Sequence, residues 1–529
     1  MDNLIIEKNN RKMKKINKIS FLVIVMVLGG VFSCSLDEEL QSTLNQQQGT
    51  DFLTGSADIS ALLKSSYQGL RLPYQDQAQL WAATEHTTDE AMGPTRGGDW
   101  DDNGVWRVLH DHTWDADHQY LGNTFNSLLE VVFSTTNLLT FEPSATQAAE
   151  AICLRAFVMF TVADGWGQVP FREPGENLLD PPNVLSGADA VDKVIADVEM
   201  VMDDLPDGPT YHSNKDAGKV LLMKAYLNKG AFANRQSPTF DVADMNKVIE
   251  LADDIMAGGY EIADNVYDNF APNNDIISTE NIFTNQNVPG QGGDGNSVRS
   301  RWFCTLHYNQ NPSGWNGFTT LADFYDKFDP ADKRLSDDYD GQTDVSGIKM
   351  GLLLGQQYNE KGEELEDRKG NKLAFTKEVD LIEKGNDLEI RGIRVIKYPI
   401  DYNNGDDVDN DLVIYRFSDV LLMKAEAILR GGTATGGDTP LSLVNAIRAK
   451  RGVDLLESVD LDVLLDERGF ELYWEGHRRQ DLIRFGKFLD AYSNKPASGP
   501  ERLLFAIPSS ALAVNPNLEQ NPGYIDGSE

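Results

Sequence analysis

Apolar positions along this chain follow two patterns. The first is one run near the N-terminus, from Ile19 to Phe32, within FLVIVMVLGGVFSC. Lys14, Lys15 and Lys18 precede it, and Ser33 and Cys34 close it. A basic stretch, a short apolar run and a small residue before a cysteine make a secretory signal with a lipoprotein cleavage site. The run is too short and too N-terminal to predict a spanning helix, although an uncleaved anchor is the alternative. Cleavage before Cys34 leaves a cysteine for lipid, so the protein is expected to be membrane-anchored without crossing the bilayer. Met13 opens a more compact signal, MKKINKIS, which leaves the start open between Met1 and Met13.

The second pattern is helical spacing. Ala149, Ile152, Ala156 and Phe160 recur every three or four residues and predict a helix over 145–163. Further helices are expected at 189–205, with Asp189 as N-cap and Pro206 as stop, at 217–232, and at 244–257 before Gly258 and Gly259. Others are expected at 413–429, 440–451, 460–476 and 479–492. They fall in pairs, with the small residues Ala225, Ala231, Ala425 and Ala427 where neighbouring helices must approach closely. The pattern resembles tetratricopeptide-like helix pairs without a strict 34-residue repeat. An ordinary irregular helical domain is the plainer reading.

Between the helices lie segments too long for connectors. Residues 89–114 are rich in Gly, Asp, Trp and His, 271–315 in Asn, Gly and Pro, and 333–413 are polar, with a short hairpin expected at 391–398. Long loops on a rigid scaffold usually carry function. Trp100 and Trp106 stand among Arg96, Asp99, Asp101 and Asn103. Trp302, Phe303, Tyr308 and Trp315 stand among Arg301, Asn309, Asn311 and Asn316. A tryptophan stacks on the apolar face of a sugar ring while flanking polar groups bond its hydroxyls. The rival for each ring is packing against the scaffold; Trp166 and Trp474, within helical blocks, are expected in the core.

Charge narrows the classes. The chain has 529 residues and a net charge of −36. Removing residues 1–33, with six basic and two acidic side chains, leaves 496 residues near −40. Such a surface repels nucleic acid and suits a protein exposed to a cation-rich exterior. Besides Cys34 there are only Cys153 and Cys304, too few for a disulfide framework; one long-range bridge stays open.

Catalytic and metal motifs are weak. Glu467, Glu471 and Glu475 share a helix face at i, i+4, i+8, and as paired carboxylates they would suit glycoside hydrolysis. Arg468, Arg478 and Arg479 lie near enough to pair with them and keep them ionised, which favours a structural role. Gly290, Gly292 and Gly295 fit G-x-G-x-x-G but lack the strand before and the helix after that a dinucleotide site needs. His110 and His112 are close in sequence but do not make a zinc site. Asp99, Asp101, Asn103 and Gly104 match the first half of an EF-hand loop, but position 12 is His110, and Asp407, Asp409 and Asp411 lack the glycine. Structural calcium at either loop is left open, and no cofactor is expected.

Five blocks carry a family resemblance: LRAFVMFTVADGWGQVPF (154–171), GKVLLMKAYLNKGAF (218–232), YRFSDVLLMKAEAIL (415–429), LLDERGFELYWEGHRRQDLIRFG (464–486) and NPNLEQNPGY (515–524). In this order they resemble the SusD/RagB family, outer-membrane nutrient-binding lipoproteins of Bacteroidetes. Asp37, Glu38 and Glu39 after Cys34 also resemble the surface-export signal of such lipoproteins. The resemblance implies one mostly α domain over 34–529, with an N-terminal region at about 50–235 and a C-terminal region at about 270–529, built of four tetratricopeptide-type helix pairs and irregular ligand-binding loops. It implies capture of an oligosaccharide at the cell surface, delivery to a SusC-like TonB-dependent transporter, and no catalysis. By region it places Asp89, Arg96 and Trp100 in the early ligand loop, with Asn103 beside them, and Trp315 in the mid-chain loop, with Trp302 nearby. Trp100 and Trp315 are expected to lie exposed together on one face. The rivals are a lipoprotein glycoside hydrolase, which needs two carboxylates about 5–10 Å apart across a cleft, and a helical scaffold that binds only protein.

Anchoring gives the first test. Cys34→Ala should move the protein from the outer-membrane fraction to the soluble one, because acylation of Cys34 is the only anchor the sequence offers. Retention in the membrane fraction on ultracentrifugation would refute the lipoprotein reading.

Overall fold

Ten helices of seven residues or more organise the described part of the protein. The computed structural model describes residues 57–291 and 298–525, so the signal run, Cys34 and most of the Gly290–Gly295 motif lie outside them. The helices are α1 (Ile59–Gln68), α2 (Gln119–Leu138), α3 (Ala145–Trp166), α4 (Gly187–Val201), α5 (Lys215–Ala233), α6 (Val242–Met256), α7 (Phe417–Leu429), α8 (Pro440–Arg451), α9 (Leu461–Leu472) and α10 (Arg478–Arg484). From α2 to α6 each helix packs on the next, α6 packs on α7 across some 160 intervening residues, and α7 packs on α8 and α9. The chain is therefore mostly α, an array of paired helices of the tetratricopeptide-like kind expected. Among the described residues no helix is long and apolar enough to cross a membrane.

Local chemistry explains the boundaries. Ser144 opens α3 with a capping box to Gln147, and Thr439 opens α8 the same way with Ser442 and Pro440. Ser186, not Asp189, caps α4; Asp189 lies three residues inside, where its N–H is bonded by the Ser186 hydroxyl. Residues 413–416, expected to begin a helix, lie in the strand Leu412–Arg416 instead, because Val413, Ile414 and Tyr415 favour a pleated surface and all five strand residues are buried. α10 stops at Arg484 rather than 492, where Gly486 turns with φ +71° and the N–H of Lys487 returns to the Leu482 carbonyl. α9 likewise ends at Leu472, short of Gly476, and Trp474 takes φ +63°.

α1 and α2 were not anticipated, although Leu121, Phe125, Leu128, Val132 and Leu138 of α2 are buried at helical spacing. Along α2 the buried face includes Thr124, Thr135 and Thr136, whose hydroxyls donate to carbonyls four residues back. Satisfied in this way, threonine packs as an apolar residue, yet it reads as polar in a pattern. Ala225, Ala231, Ala425 and Ala427 are all buried, as close packing requires. At Gly230 a Cβ would stand 1.7 Å from the Thr239 carbonyl oxygen, so only glycine fits where the chain after α5 crosses that helix.

Strands occur mainly in the long segment between α6 and α7. β1 (Gln168–Phe171) pairs with β2 (Asn183–Ser186), β3 (Asn281–Asn285) with β6 (Leu412–Arg416), and β4 (Met350–Leu353) with β5 (Arg394–Ile396), all antiparallel. The hairpin expected at 391–398 is thus one strand whose partner lies about 40 residues upstream. Cys153 and Cys304 are both buried free thiols, so the open bridge is not made.

Buried charge joins the strand-rich segment to the helices. Arg416, at the end of β6, reaches Glu471 at 2.8 Å, Glu475 at 2.8 Å and Glu280 at 3.1 Å. Arg451, ending α8, meets Glu471 at 2.8 Å and Glu280 at 3.3 Å, and Arg334 meets Glu471 at 3.1 Å and Asp332 at 2.7 Å. Lys397 and Arg448 hold Glu475 and Glu467. The expected partners Arg468, Arg478 and Arg479 go elsewhere: Arg468 to Asp419 and Asp481, Arg478 to Asp89, and Arg479 to Asp164. Arg468 adjoins Glu467 on α9 and so faces away from it, and Arg478 and Arg479 lie on α10.

Glu471 is central to this cluster. Burial alone would raise its pKa, but Arg451 and Arg416 outweigh that and hold it well below the usual carboxylate range. Burial wins at Glu467, which is raised despite Arg334 and Arg448. Glu471→Gln should destabilise the fold by about 3–5 kcal/mol, the cost of stranding buried charge, read from urea unfolding; a change below about 1 kcal/mol would show that the cluster is not structurally required.

The pH response follows from opposing groups. Glu475 and Asp481 are also lowered, Asp481 to about 2, because Arg416 and Arg468 outweigh burial. Groups lowered by folding contribute stability that is complete above an unfolded value of about 4 and is lost as pH falls through the folded value. Asp411 and Glu85 act in the other direction, since burial lifts both to about 7. Their contribution is complete below about 4 and is lost as pH rises toward 7. The melting temperature should peak near about pH 5, and Asp411→Asn should flatten its decline toward neutrality. A wild-type melting temperature that climbs steadily from pH 5 to 8 would contradict this balance.

Candidate functional site

The three long loops meet on one face. Thr95–Arg96 pairs in parallel with Ile382–Glu383, Met92 bridges Thr319, and Thr320 bridges Ile393. Segments near residues 95, 315 and 385 are thereby laid side by side.

Trp100 and Trp315 come together there. Their ring centroids lie 6.4 Å apart, tilted by 45°, and the Trp100 indole N–H donates to the Trp315 carbonyl at 3.0 Å. Both rings are half-buried rather than fully exposed. Trp100 rests on Phe318 and Trp106, and Trp315 on the half-buried Phe303, whose ring is covered by the Arg299 guanidinium at 4.5 Å. Trp100 is held at φ +59° in a turn where Asp102 and Asn103 are also left-handed. Its indole sits so close over Gly317 that a Cβ there would lie 2.3 Å from Cε2.

Polar groups border these rings. The half-buried Tyr308 donates its hydroxyl to Asp99 at 3.2 Å, and the Arg368 guanidinium stacks on the Tyr308 ring at 3.8 Å. Arg368 pairs with Glu389 at 2.8 Å, and Glu389 also meets His307 Nε2 at 2.9 Å. Burial would raise the Glu389 pKa, but the Arg368 backbone N–H, His307 and the Arg368 guanidinium together keep it below its usual range. Burial lowers His307, so the neutral imidazole donates Nε2–H to that carboxylate. Asn103 is exposed at the turn beside them.

Three expected ligand residues serve the frame instead. Asp89 is 8% exposed and takes two 2.8 Å bonds from Arg478, so its oxygens do not face a ligand. Arg96 is buried and donates to the Gly317 carbonyl at 3.2 and 3.3 Å and to the Leu388 carbonyl at 2.9 Å. It clamps the mid-chain and late loops under the rings. Trp302 is 1% exposed and belongs to the core, as do Trp166 and Trp474. Asp99 was named as a flank of Trp100, but Arg368 and Glu389 were not singled out, because they lie in the polar 333–413 segment and reach the site only through tertiary pairing.

The half EF-hand is occupied internally. Asp101 pairs with Arg107 at 2.8 Å, Asp102 accepts the Trp106 indole N–H at 2.7 Å, and Asp99 accepts Tyr308. The Asp411 carboxylate takes the Asn287 N–H and the Thr284 hydroxyl. Among the described residues no group of three or more His, Cys, Asp or Glu is placed to hold a metal ion. His110 and His112 are both buried and bonded to backbone carbonyls of Ser493 and Thr87.

This arrangement offers an apolar, aromatic surface bordered by a cation, carboxylates and a carboxamide. It suits stacking on a flat, hydroxyl-rich ligand. Gly317→Ala should displace the Trp100 indole and break its bond to Trp315, changing the near-ultraviolet circular dichroism without loss of the helical signal. An unaltered aromatic spectrum would mean that Trp100 does not need that contact.

Known proteins share this architecture. The model of the SusD family matches residues 262–502. Starch-binding protein SusD of Bacteroides thetaiotaomicron is 24% identical, over 97% of this chain and 100% of its own length. SusD-like protein P38 of Formosa agariphila is 23% identical over 97% and 100%. Among solved structures, a laminarin binding SusD-like protein superposes with a TM-score of 0.66 at 20% identity, covering 88% of this chain and 99% of that one. Surface glycan-binding protein A from B. thetaiotaomicron in complex with laminarihexaose gives 0.65 at 18%, covering 88% and 98%.

Proposed function

The protein belongs to the SusD/RagB family, and on that basis we propose that it is a glycan-binding lipoprotein of the cell surface that captures an oligosaccharide and delivers it to a SusC-like TonB-dependent transporter in the outer membrane. The observation that carries the reading is the Trp100–Trp315–Phe303 surface, with Tyr308, Asp99, Arg368 and Asn103 at its edge. The likeness to relatives named for binding starch and laminarin supports the same ligand class. Mixed charge around the rings favours a neutral glycan over a polyanion held by a basic patch. The protein is a binder and not an enzyme. Its most regular carboxylate set, Glu467, Glu471 and Glu475, is tied to buried arginines and a lysine rather than facing a cleft. Lipid on Cys34 and docking on the transporter complete the reading.

Isothermal titration against starch-type and laminarin-type oligosaccharides tests it. Trp100→Ala and Trp315→Ala should each weaken binding about tenfold to a hundredfold, the equivalent of roughly 1–3 kcal/mol for a stacked ring, with thermal melting little changed. Release of reducing ends by pure protein would favour the hydrolase reading. Unchanged affinity in both variants would move the site away from these rings. Co-purification of an outer-membrane barrel with the lipidated protein tests the delivery step.

A further inference from the structure

A cavity of about 120 Å³ lies away from the Trp100 surface, where the short helix Leu80–Glu85, α3, α5 and the turn after α9 converge. Aromatic side chains, among them Trp81 and Trp474, form much of its wall, together with the Thr84 and Thr161 side chains. Three cations also line it, Lys224, Arg301 and Arg479, against two carboxylates, Asp164 and Glu475.

These charges do not balance. Lys224 is matched by Asp419 at 2.9 Å, and Glu475 is taken by Lys397 and Arg416. Asp164 is shared between Arg235 at 3.5 Å and Arg479 at 3.8 Å, so one carboxylate faces two buried guanidiniums. Arg301 is 2% exposed and makes no ion pair within 4.0 Å among the described residues. It donates only to the Ser300 hydroxyl and the Tyr74 carbonyl and lies over the Trp81 ring. The Nε–H groups of Arg301 and Arg479 are both buried with no acceptor.

Native structures rarely strand such donors, and an uncompensated buried cation is costly. Burial is the main force lowering both guanidiniums, Arg479 to about 10, and a guanidinium keeps its charge in a protein. Two carboxylates, Glu85 and Asp76, act on Arg301 through their charge without pairing with it; Glu85 accepts the Gly476 N–H at 2.6 Å and burial raises it to about 7. It is therefore partly protonated when a counter-charge is needed.

We propose that this cavity binds one small monovalent anion, a halide or a short carboxylate such as formate or acetate, against the Arg301 guanidinium, with Arg479 lining the same space. An ion and a few waters fit a space of this size, since a water takes about 30 Å³ of liquid. An oligosaccharide does not fit, so the site is separate from the Trp100 surface.

The test is a thermal melt of the full-length protein in sodium gluconate, replaced stepwise at constant ionic strength by bromide, formate or acetate. A saturable rise in melting temperature with at least one of these is expected, and which anions give it separates halide from carboxylate. Arg301→Gln should weaken the apparent affinity about tenfold or more, as loss of a charge-assisted bond requires. Should that variant fail to fold, bromide-soaked crystals of the wild type should give an anomalous peak inside the cavity. A melting temperature indifferent to anion identity, a saturable rise unchanged in Arg301→Gln, or, where bromide gives the rise, bromide found only outside the cavity would overturn the assignment.

Discussion

The structure depends on carboxylates and arginines paired out of water. Glu471 alone takes Arg334, Arg416 and Arg451, which come from a loop, a strand end and a helix end far apart in the chain. Each ion is expensive to bury, and the arrangement is tolerable only when every partner is in place. It therefore acts as a registration device. The 257–416 segment must dock on α8 and α9 in one position, or several kcal/mol of desolvation are left uncompensated. A second cluster, with Asp419, Asp481 and Glu426 against Lys224, Arg468, Arg484 and Arg430, does the same for α5, α7, α9 and α10.

The loop face inherits its rigidity from this frame. Arg478, at the start of α10, reaches back nearly 400 residues to Asp89 and fixes the root of the early loop. Arg96 then crosses beneath the rings to the Gly317 and Leu388 carbonyls. Asp89 and Arg96 thus do for the loops what Glu471 does for the scaffold. Their place in the long loops was readable, but their pairing was not. The half-exposed rings lie above this buried polar layer, so Trp100 and Trp315 are presented without collapsing into the core. Pre-positioned aromatic groups lose little entropy on binding a flexible chain.

The same frame separates binding from chemistry. A glycosidase needs one carboxyl whose pKa is raised beside another that stays ionised, both facing substrate. Here Glu85, Glu90 and Asp411, raised by burial, accept backbone N–H groups, and Glu467, also raised, is held by Arg448. The strongly lowered Glu471 is locked to arginines. Perturbed ionisation in this protein marks structural tension rather than a reactive centre.

How much of this was legible along the chain divides by range. Helices α3, α5, α6 and α8 were readable because apolar period, cap residues and glycine stops act within a few residues. The meeting of Trp100 with Trp315 followed from recognised blocks and loop composition. α2 was not anticipated although its apolar face is written at helical spacing by Leu121, Phe125, Leu128, Val132 and Leu138, and its threonines extend that face by satisfying their hydroxyls within the helix. Strand β6 was taken for helix because its partner β3 lies about 130 residues away. The partners of the glutamates, the burial of Trp302, and the recruitment of Arg368 and Glu389 were settled by tertiary structure alone. Period, capping and turn chemistry are short-range and are written into neighbouring residues. Which arginine neutralises which buried carboxylate, and which ring keeps a face to solvent, depends on contacts between distant segments whose energies exist only once the chain has closed around them.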